Sequence, residues 1–156
     1  MEKYILSDSF LAYIREKFPY ELYEDDYALF EKSIETKESI IVNETKRNLY
    51  FTLQDENDIA YFNTKFSDSY IPDSKTLKKL SEILKNNELF NFLEREIKYG
   101  TPTPIPFIIA TAIVKNIPIV IDESDKDYIR FKKIADKYQL LLLNKNTYIK
   151  ALRNQS

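Results

Sequence analysis

Residues 107–143 read FIIATAIVKNIPIVIDESDKDYIRFKKIADKYQLLLL, and this stretch decides the fold class. Its apolar pattern predicts helix 107–115, strand 117–121, helix 126–138 and strand 140–143. Both predicted strands are almost entirely apolar, as is usual for strands buried on two faces. A helix–strand–helix–strand order with such strands predicts a parallel sheet covered by helices on both sides. Pro118 has no backbone N–H, so we expect it at the beginning of its strand.

The first part of the chain extends this pattern toward the N-terminus. Apolar runs and helical spacing predict strand 4–6, helix 10–18, helix 21–38 and strand 39–42. The chain has 156 residues, which fits one domain. We therefore predict a single domain over residues 1–156, of the α/β class, with three layers and a mostly parallel sheet flanked by helices.

The middle of the chain is less regular. Residues 48–53 and 59–63 are compatible with a hairpin across a turn at residues 55–58, or with two short helices. Pro72-Asp73-Ser74 is typical of a helix start, because the aspartate or serine side chain can cap free backbone amides. The remaining expected segments are helix 88–99 ending at Gly100, a connection between layers at 101–106 (TPTPIP), and a terminal helix 147–152.

The composition excludes several kinds of catalytic site. The chain has no cysteine, no histidine and a single glycine. Thiolate and Ser-His-Asp nucleophiles, His-zinc sites and glycine-rich phosphate loops are therefore excluded. Carboxylates remain, together with Ser, Thr, Tyr, Lys and Arg side chains. Because Mg²⁺ and Mn²⁺ favour carboxylate and water oxygens, an acidic metal site is the chemistry that this composition favours.

Charge and hydropathy narrow the location and the partners. The longest nearly apolar stretch, 105–121, is interrupted by polar residues and falls short of the roughly 20 residues that span a bilayer. The N-terminal MEKYILSDSF lacks a signal-peptide pattern. We therefore expect a cytoplasmic protein with no membrane segment. The net charge of −2 excludes a globally basic nucleic-acid binder but permits a local basic face.

Two acidic segments follow predicted buried strands. Asp8 comes just after strand 4–6, and Asp122-Glu123-Ser124-Asp125-Lys126-Asp127 comes directly after strand 117–121. In open α/β sheets, sites form beyond the carboxyl ends of strands. Clustered carboxylates repel one another unless a cation or hydrogen bonds offset the repulsion. The alternative is structural: Ser7, Asp8 or Ser9 caps the first helix, and Ser124 or Asp125 caps the helix after the loop.

A basic stripe follows the acidic loop. Lys126, Arg130, Lys133 and Lys137 are spaced four, three and four residues apart, so they fall within about 60° of one helix face. Such a stripe could hold a phosphate backbone, or it could be an ordinary solvated face.

The chain also has 12 Tyr and 10 Phe. Core packing explains most of them, and base stacking is the alternative for those outside the periodic positions, such as Tyr61, Phe62, Phe66 and Tyr70.

The N-terminal KYILSDSFL and the segment PFIIATAIVKNIPIVIDESDKDY resemble the PIN domain, a family of metal-dependent nucleases that includes many toxins of toxin–antitoxin pairs. The following KKIADKYQLLLLNKNTYIKAL resembles the closing part of that domain. The resemblance implies a PIN-like or Rossmann-like fold and a site for Mg²⁺ or Mn²⁺. Asp8, Asp122 and Asp125 would be the catalytic residues and metal ligands, and Glu44 a further ligand.

The chain also departs from the family pattern at two places. Residues 104–106 have no acid where the family usually places an aspartate, and Asn48 stands at the position that aligns best with a family glutamate. Two hypotheses follow. The first is an Mg²⁺- or Mn²⁺-dependent endoribonuclease, toxin-type or RNA-processing, with Lys126, Arg130, Lys133 and Lys137 on the RNA. The second is a catalytically silent PIN-like module that binds nucleic acid or a protein partner such as an antitoxin. A homodimer fits either hypothesis.

Overall fold

Four parallel strands form the sheet. They are β1 (Tyr4–Leu6), β2 (Ser39–Ile40), β3 (Ile119–Val120) and β4 (Leu142–Leu143). The strand order is β2–β1–β3–β4. These elements come from a computed structural model that describes residues 1–18, 23–85, 90–91, 94, 98, 104–126 and 128–155. The α/β class and the parallel sheet flanked by helices are confirmed, and β2, β3 and β4 are shorter than the predicted strands.

Nine helices lie within the described ranges. They are α1 (Asp8–Lys17), α2 (Glu24–Glu35), α3 (Asn43–Arg47), α4 (Leu49–Thr52), α5 (Glu56–Lys65), α6 (Ser74–Ile83), α7 (Pro104–Lys115), α8 (Tyr128–Lys137) and α9 (Lys145–Asn154). No helix among them is long and apolar enough to cross a membrane. The predicted helix 88–99 and its cap at Gly100 fall for the most part outside the described residues.

Residues 49–52 and 56–65 are helical, so the hairpin alternative is wrong. The turn expected at 55–58 is a helix start, because the Asp55 side chain accepts hydrogen bonds from the backbone N–H groups of Asn57 and Asp58.

Residues 104–106 are likewise not a connection, because α7 already begins at Pro104. Proline fits there because N–H groups in the first helical turn have no intrahelical acceptor. Asp73 caps α6, as the sequence predicted.

Each face of the sheet covers its own apolar core. Along β1, Tyr4 and Leu6 pack into one core, and Ile5 between them packs into the other. The first core includes residues of α1, α2, α5 and α9, and the second includes residues of α6, α7 and α8. Since side chains alternate along a strand, fully apolar strands require cover on both faces. The three predicted layers follow from this arrangement.

The parallel register brings the carboxyl ends of the strands to one edge of the sheet. Leu6 pairs with Val120, so the residues that follow β1 and β3 leave the sheet side by side. The Ser7 N–H donates to the Val120 carbonyl at 3.0 Å and extends this pairing beyond the two strands. The segment after Leu6 begins at Ser7, and the segment after Val120 leads to Asp122. Both predicted acidic segments therefore start at this edge.

Candidate functional site

A cavity of about 630 Å³ lies at the carboxyl edge of β1 and β3. Its lining includes three of the acids predicted from sequence, Asp8, Asp122 and Asp125. Asp8 opens α1, and the other two belong to the loop after β3. Residues more than 110 positions apart along the chain thus share one cavity because their strands are hydrogen-bonded neighbours. We call this cavity, with its lining, the acidic cleft.

Asp8 is held by three neutral donors. Thr45 Oγ1 donates to its Oδ1 at 2.7 Å. Asn48 Nδ2 and Thr52 Oγ1 donate to its Oδ2 at 2.6 and 3.2 Å. Ser7, not Asp8, caps α1, and its Oγ accepts a hydrogen bond from the Phe10 N–H at 3.4 Å. The Asp8 carboxylate is therefore oriented by helices α3 and α4 and is not used as a helix cap.

Burial raises the pKa of Asp8 to about 6, and the hydrogen bonds from Asn48, Thr45 and Thr52 oppose this shift only in part. The physical cause is the loss of hydration of the charged form, which neutral donors replace incompletely. The Asp8 carboxyl therefore ionises less readily than an exposed aspartate does. A bound cation would supply the missing charge compensation directly.

The acidic loop is organised around Asp122. The backbone N–H and the hydroxyl of Ser124 donate to its two carboxylate oxygens at 3.1 and 2.7 Å. Its own N–H donates to Ser9 Oγ at 3.3 Å, which ties the loop to α1. Ser124 thus bonds to Asp122, and the predicted cap role of Ser124 is replaced by this local turn. The Asp125 carbonyl accepts from the N–H of Tyr128, the first residue of α8.

The other two acids of the loop, Glu123 and Asp127, are not among the described residues that line the acidic cleft. Glu123 accepts a hydrogen bond from the side-chain amide of Asn144, so it contacts the residue that caps α9. Asp127 lies outside the described residues. The loop thus offers the acidic cleft two carboxylates, those of Asp122 and Asp125.

Glu44, predicted as a further metal ligand, is not among the described residues that line the acidic cleft. Its Oε2 is buried and has no hydrogen-bond partner in the described part of the chain. Burial also raises the pKa of Glu44 above its usual value. The α3–α4 segment presents Asn48 to Asp8 instead, at the position where the family resemblance leads one to expect an acid. An amide therefore contacts Asp8 there.

The basic stripe begins at the cleft. Lys126 is exposed and lines it, and Arg130, Lys133 and Lys137 are exposed along α8. The opposite face of this helix is buried through Phe131, Ile134 and Ala135. Arg130, Lys133 and Lys137 are therefore separated from the apolar face of α8, as predicted, whereas Lys126 lies in the loop before this helix begins. A role of the stripe on RNA stays a prediction.

Sequence reasoning missed several residues of the cleft. Thr52 and Phe51 line the cleft and belong to the region whose conformation was left open, and Lys17, which also lines it, was not singled out. Thr45 belongs to the same region and contacts Asp8 without lining the cleft. The spacing of Asn48 and Thr52, four residues apart, places both on one helix face once that region is known to be helical. Among the four aromatic residues that periodicity did not explain, Phe62 and Phe66 are in the core, and Tyr61 and Tyr70 are partly buried against it.

The cleft fits an open type of metal site. Among the residues that the structure describes, no three acids lie close enough to hold a cation between them. Mg²⁺, however, usually takes one or two carboxylates and keeps several waters. The carboxylate of Asp8 retains acceptor capacity, since a carboxylate has about four lone-pair sites and three hydrogen bonds are made. Asp8, Asp122 and Asp125 line one cavity and are carboxylates, the ligand type that Mg²⁺ and Mn²⁺ favour.

Comparison with known proteins adds no relative. A scan against protein-family models found no match, and searches of the curated proteins and of the solved structures found no similar protein. The assignment to the PIN family therefore stays a prediction from the residues quoted above.

Proposed function

We propose that this protein is a PIN-like ribonuclease that depends on Mg²⁺ or Mn²⁺. One observation carries the proposal: Asp8, Asp122 and Asp125 line a single cavity at the carboxyl ends of two adjacent parallel strands. Sites in α/β folds form at such edges. With no histidine or cysteine in the chain, a carboxylate-held cation is the simplest source of hydrolytic chemistry.

The acidic and basic residues at the cleft would bind different parts of the substrate complex. Asp8 and Asp122 or Asp125 would hold the cation, which when bound activates water and neutralises charge on the phosphate. Lys126 lines the same cavity, and Arg130, Lys133 and Lys137 continue along α8. These basic side chains would bind the phosphates on either side of the scissile bond. Thr45, Asn48 and Thr52 would keep the Asp8 carboxylate in one orientation.

Purified protein incubated with mixed-sequence RNA tests the proposal. We expect cleavage in Mg²⁺ or Mn²⁺, none in EDTA, and a loss of at least about a hundred-fold in Asp8→Asn, because a ligand carboxylate is removed. Asp68→Asn is the matched control, since Asp68 is an exposed acid near β2 and does not line the cleft. Metal-independent cleavage, or equal activity in Asp8→Asn, would contradict the proposal.

A second candidate function is a catalytically silent PIN-like module that binds nucleic acid or a protein partner such as an antitoxin. The Asn48–Asp8 hydrogen bond favours it, because an amide contacts the carboxylate where the family resemblance leads one to expect an acid. This candidate predicts RNA or protein binding with no metal-dependent cleavage, and no heat of Mg²⁺ or Mn²⁺ binding in calorimetry. It also predicts that Asp8→Asn and Asp125→Asn leave the cellular phenotype unchanged.

A further inference from the structure

An exposed aromatic ring stands at the acidic cleft. Phe51 is 69% exposed and lines the cavity together with Asp8 and Asp122. The neighbouring Tyr50 is 73% exposed and is not among the described lining residues. Large apolar side chains grouped in water beside a cavity are typical of contact surfaces. Other phenylalanines near the first strand, such as Phe10 and Phe30, are fully buried, so core packing does not account for Phe51.

The short helix that carries Phe51 is fixed relative to Asp8. Leu49 anchors α4 in the core, and Thr52 Oγ1 donates to the Asp8 carboxylate. The Phe51 N–H donates to the carbonyl of Asn48 at 3.0 Å, and Asn48 itself contacts Asp8. The ring and the carboxylate are therefore held by one small hydrogen-bonded unit. A planar group on the ring would be placed at a defined position relative to the acids.

The charges around the ring suit the rest of a nucleotide. Lys17 and Lys126 line the same cavity and can pair with phosphate, while the acids can share a cation with it. A flat apolar surface for a base, next to both basic and acidic groups, is the combination that single-stranded nucleic acid uses. An apolar protein side chain could use the ring but would leave these charges unmatched.

We propose that Phe51 is a positioning residue that stacks on a nucleobase of the RNA and so sets where the phosphodiester lies relative to Asp8. The inference rests on the proposed function in one respect, that RNA occupies the cleft. It assigns a role to a residue outside the acids and outside the basic stripe.

Binding of a short fluorescein-labelled RNA to the protein, measured by anisotropy with EDTA present, tests the inference without metal-dependent cleavage. We expect Phe51→Ala to weaken binding on the order of ten-fold, the usual cost of one lost stacking contact. Phe51→Tyr should restore most of the affinity, because it keeps the ring. Tyr50→Ala is the matched control: it removes an equally exposed ring from the same helix and should change affinity less than about two-fold, since a ring outside the cleft stacks on no base.

An RNA with abasic positions separates stacking from a general effect on the cleft. If Phe51 stacks on a base, Phe51→Ala should weaken binding of the normal strand and leave binding of the abasic strand unchanged. An equal loss on both strands would overturn the inference. Because the chain has no tryptophan, Phe51→Trp also creates a single reporter. Its emission should change on RNA binding, and that of Tyr50→Trp should stay nearly constant; equal responses would also overturn the inference.

The outcomes distinguish the inference from the proposed function. Metal-dependent cleavage with no specific effect of Phe51→Ala on KM or binding would overturn the inference and leave the ribonuclease intact. Base-dependent binding through Phe51 without cleavage by the wild-type protein would support the inference and favour the silent module. Binding of neither RNA nor its abasic form by the wild-type protein would overturn both. Loss of a bound protein partner in Phe51→Ala, with no RNA binding, would do the same.

Discussion

At the scale of single residues, Asp8 combines burial with hydrogen bonds from uncharged groups. Three donors satisfy its oxygens, yet its pKa is raised to about 6 because the charged form loses more hydration than the donors return. A group that is ionised at neutral pH at a cost to folding is typical of sites kept for binding or catalysis. A cation bound beside Asp8 would offset this cost and stabilise the folded protein.

Replacing Asp8 by asparagine should therefore stabilise the protein, and the gain should depend on pH. The folded-state pKa lies above the value of 3.8 expected for an unperturbed aspartate, so the folded state favours the neutral form. The corresponding stability is fully present below about pH 4 and is lost as the pH rises through about 6. Asp8→Asn stays neutral throughout. We expect it to unfold at higher urea than wild type at about pH 7.5, by a free energy on the order of 2 kcal/mol, with little difference at about pH 4.

The same urea titrations on Asp68→Asn provide the control, because this exposed carboxylate carries no comparable desolvation cost. An Asp8→Asn protein that is less stable than wild type at both pH values would show that the three hydrogen bonds outweigh the burial of the charge.

At the scale of elements, three helix-to-strand connections turn through residues with left-handed backbone. Lys37, Asn116 and Gln139 have φ values of 62°, 54° and 58°, and they precede β2, β3 and β4 respectively. Glycine usually takes such positions because it has no Cβ, but the chain has a single glycine elsewhere. The connections at Lys37 and Gln139 therefore each carry a conformational cost of roughly 1 kcal/mol, whereas asparagine adopts this conformation more readily.

Lys37→Gly should consequently raise the free energy of unfolding by up to about 1 kcal/mol, since glycine removes the Cβ clash. Lys32→Gly is the matched control, because it changes the same residue type on the exposed side of α2. There the substitution should destabilise by about 1 kcal/mol through lost helix propensity. Urea unfolding of both variants measures the contrast. Destabilisation by Lys37→Gly would indicate that the lysine side chain contributes more than the backbone costs.

At the scale of the whole molecule, charge is separated although the net charge is only −2. The acidic cleft and the basic stripe adjoin at Lys126, which belongs to both. Opposite charges at adjoining sites allow a cation and a phosphate backbone to be bound together, which overall charge alone does not reveal. The arrangement depends on α8 following directly on the loop that closes the cleft.

If the stripe binds RNA, removing two of its lysines should lower the salt dependence of binding. Each phosphate contact on a single strand contributes about 0.7 to the slope of log K against log salt. The double variant Lys133→Ala with Lys137→Ala should therefore lose roughly 1.4 from that slope, measured by anisotropy across a salt series. Lys75→Ala with Lys78→Ala, on the exposed side of α6, is the control. An unchanged slope in the first variant would make the stripe an ordinary solvated face.

The sequence by itself determined the kind of fold and excluded several kinds of catalytic site. The apolar runs at residues 4–6 and 117–121 predict strands covered on both faces of a sheet, and the lack of histidine and cysteine excludes imidazole and thiolate sites. Local signals also predicted the start of α6 at Asp73 and the two faces of α8. These features depend on residues that are close in sequence, so the sequence alone can predict them.

Only the tertiary structure decided which residues meet. Asn48 contacts Asp8 across 40 positions, and Asp122 reaches the same cavity because β1 and β3 pair in parallel. The sequence could not decide that residues 49–52 and 56–65 are helices, because short amphipathic segments satisfy strand and helix patterns alike until packing selects one. Contacts between distant segments depend on strand order and register, which are set by the packing of the whole chain.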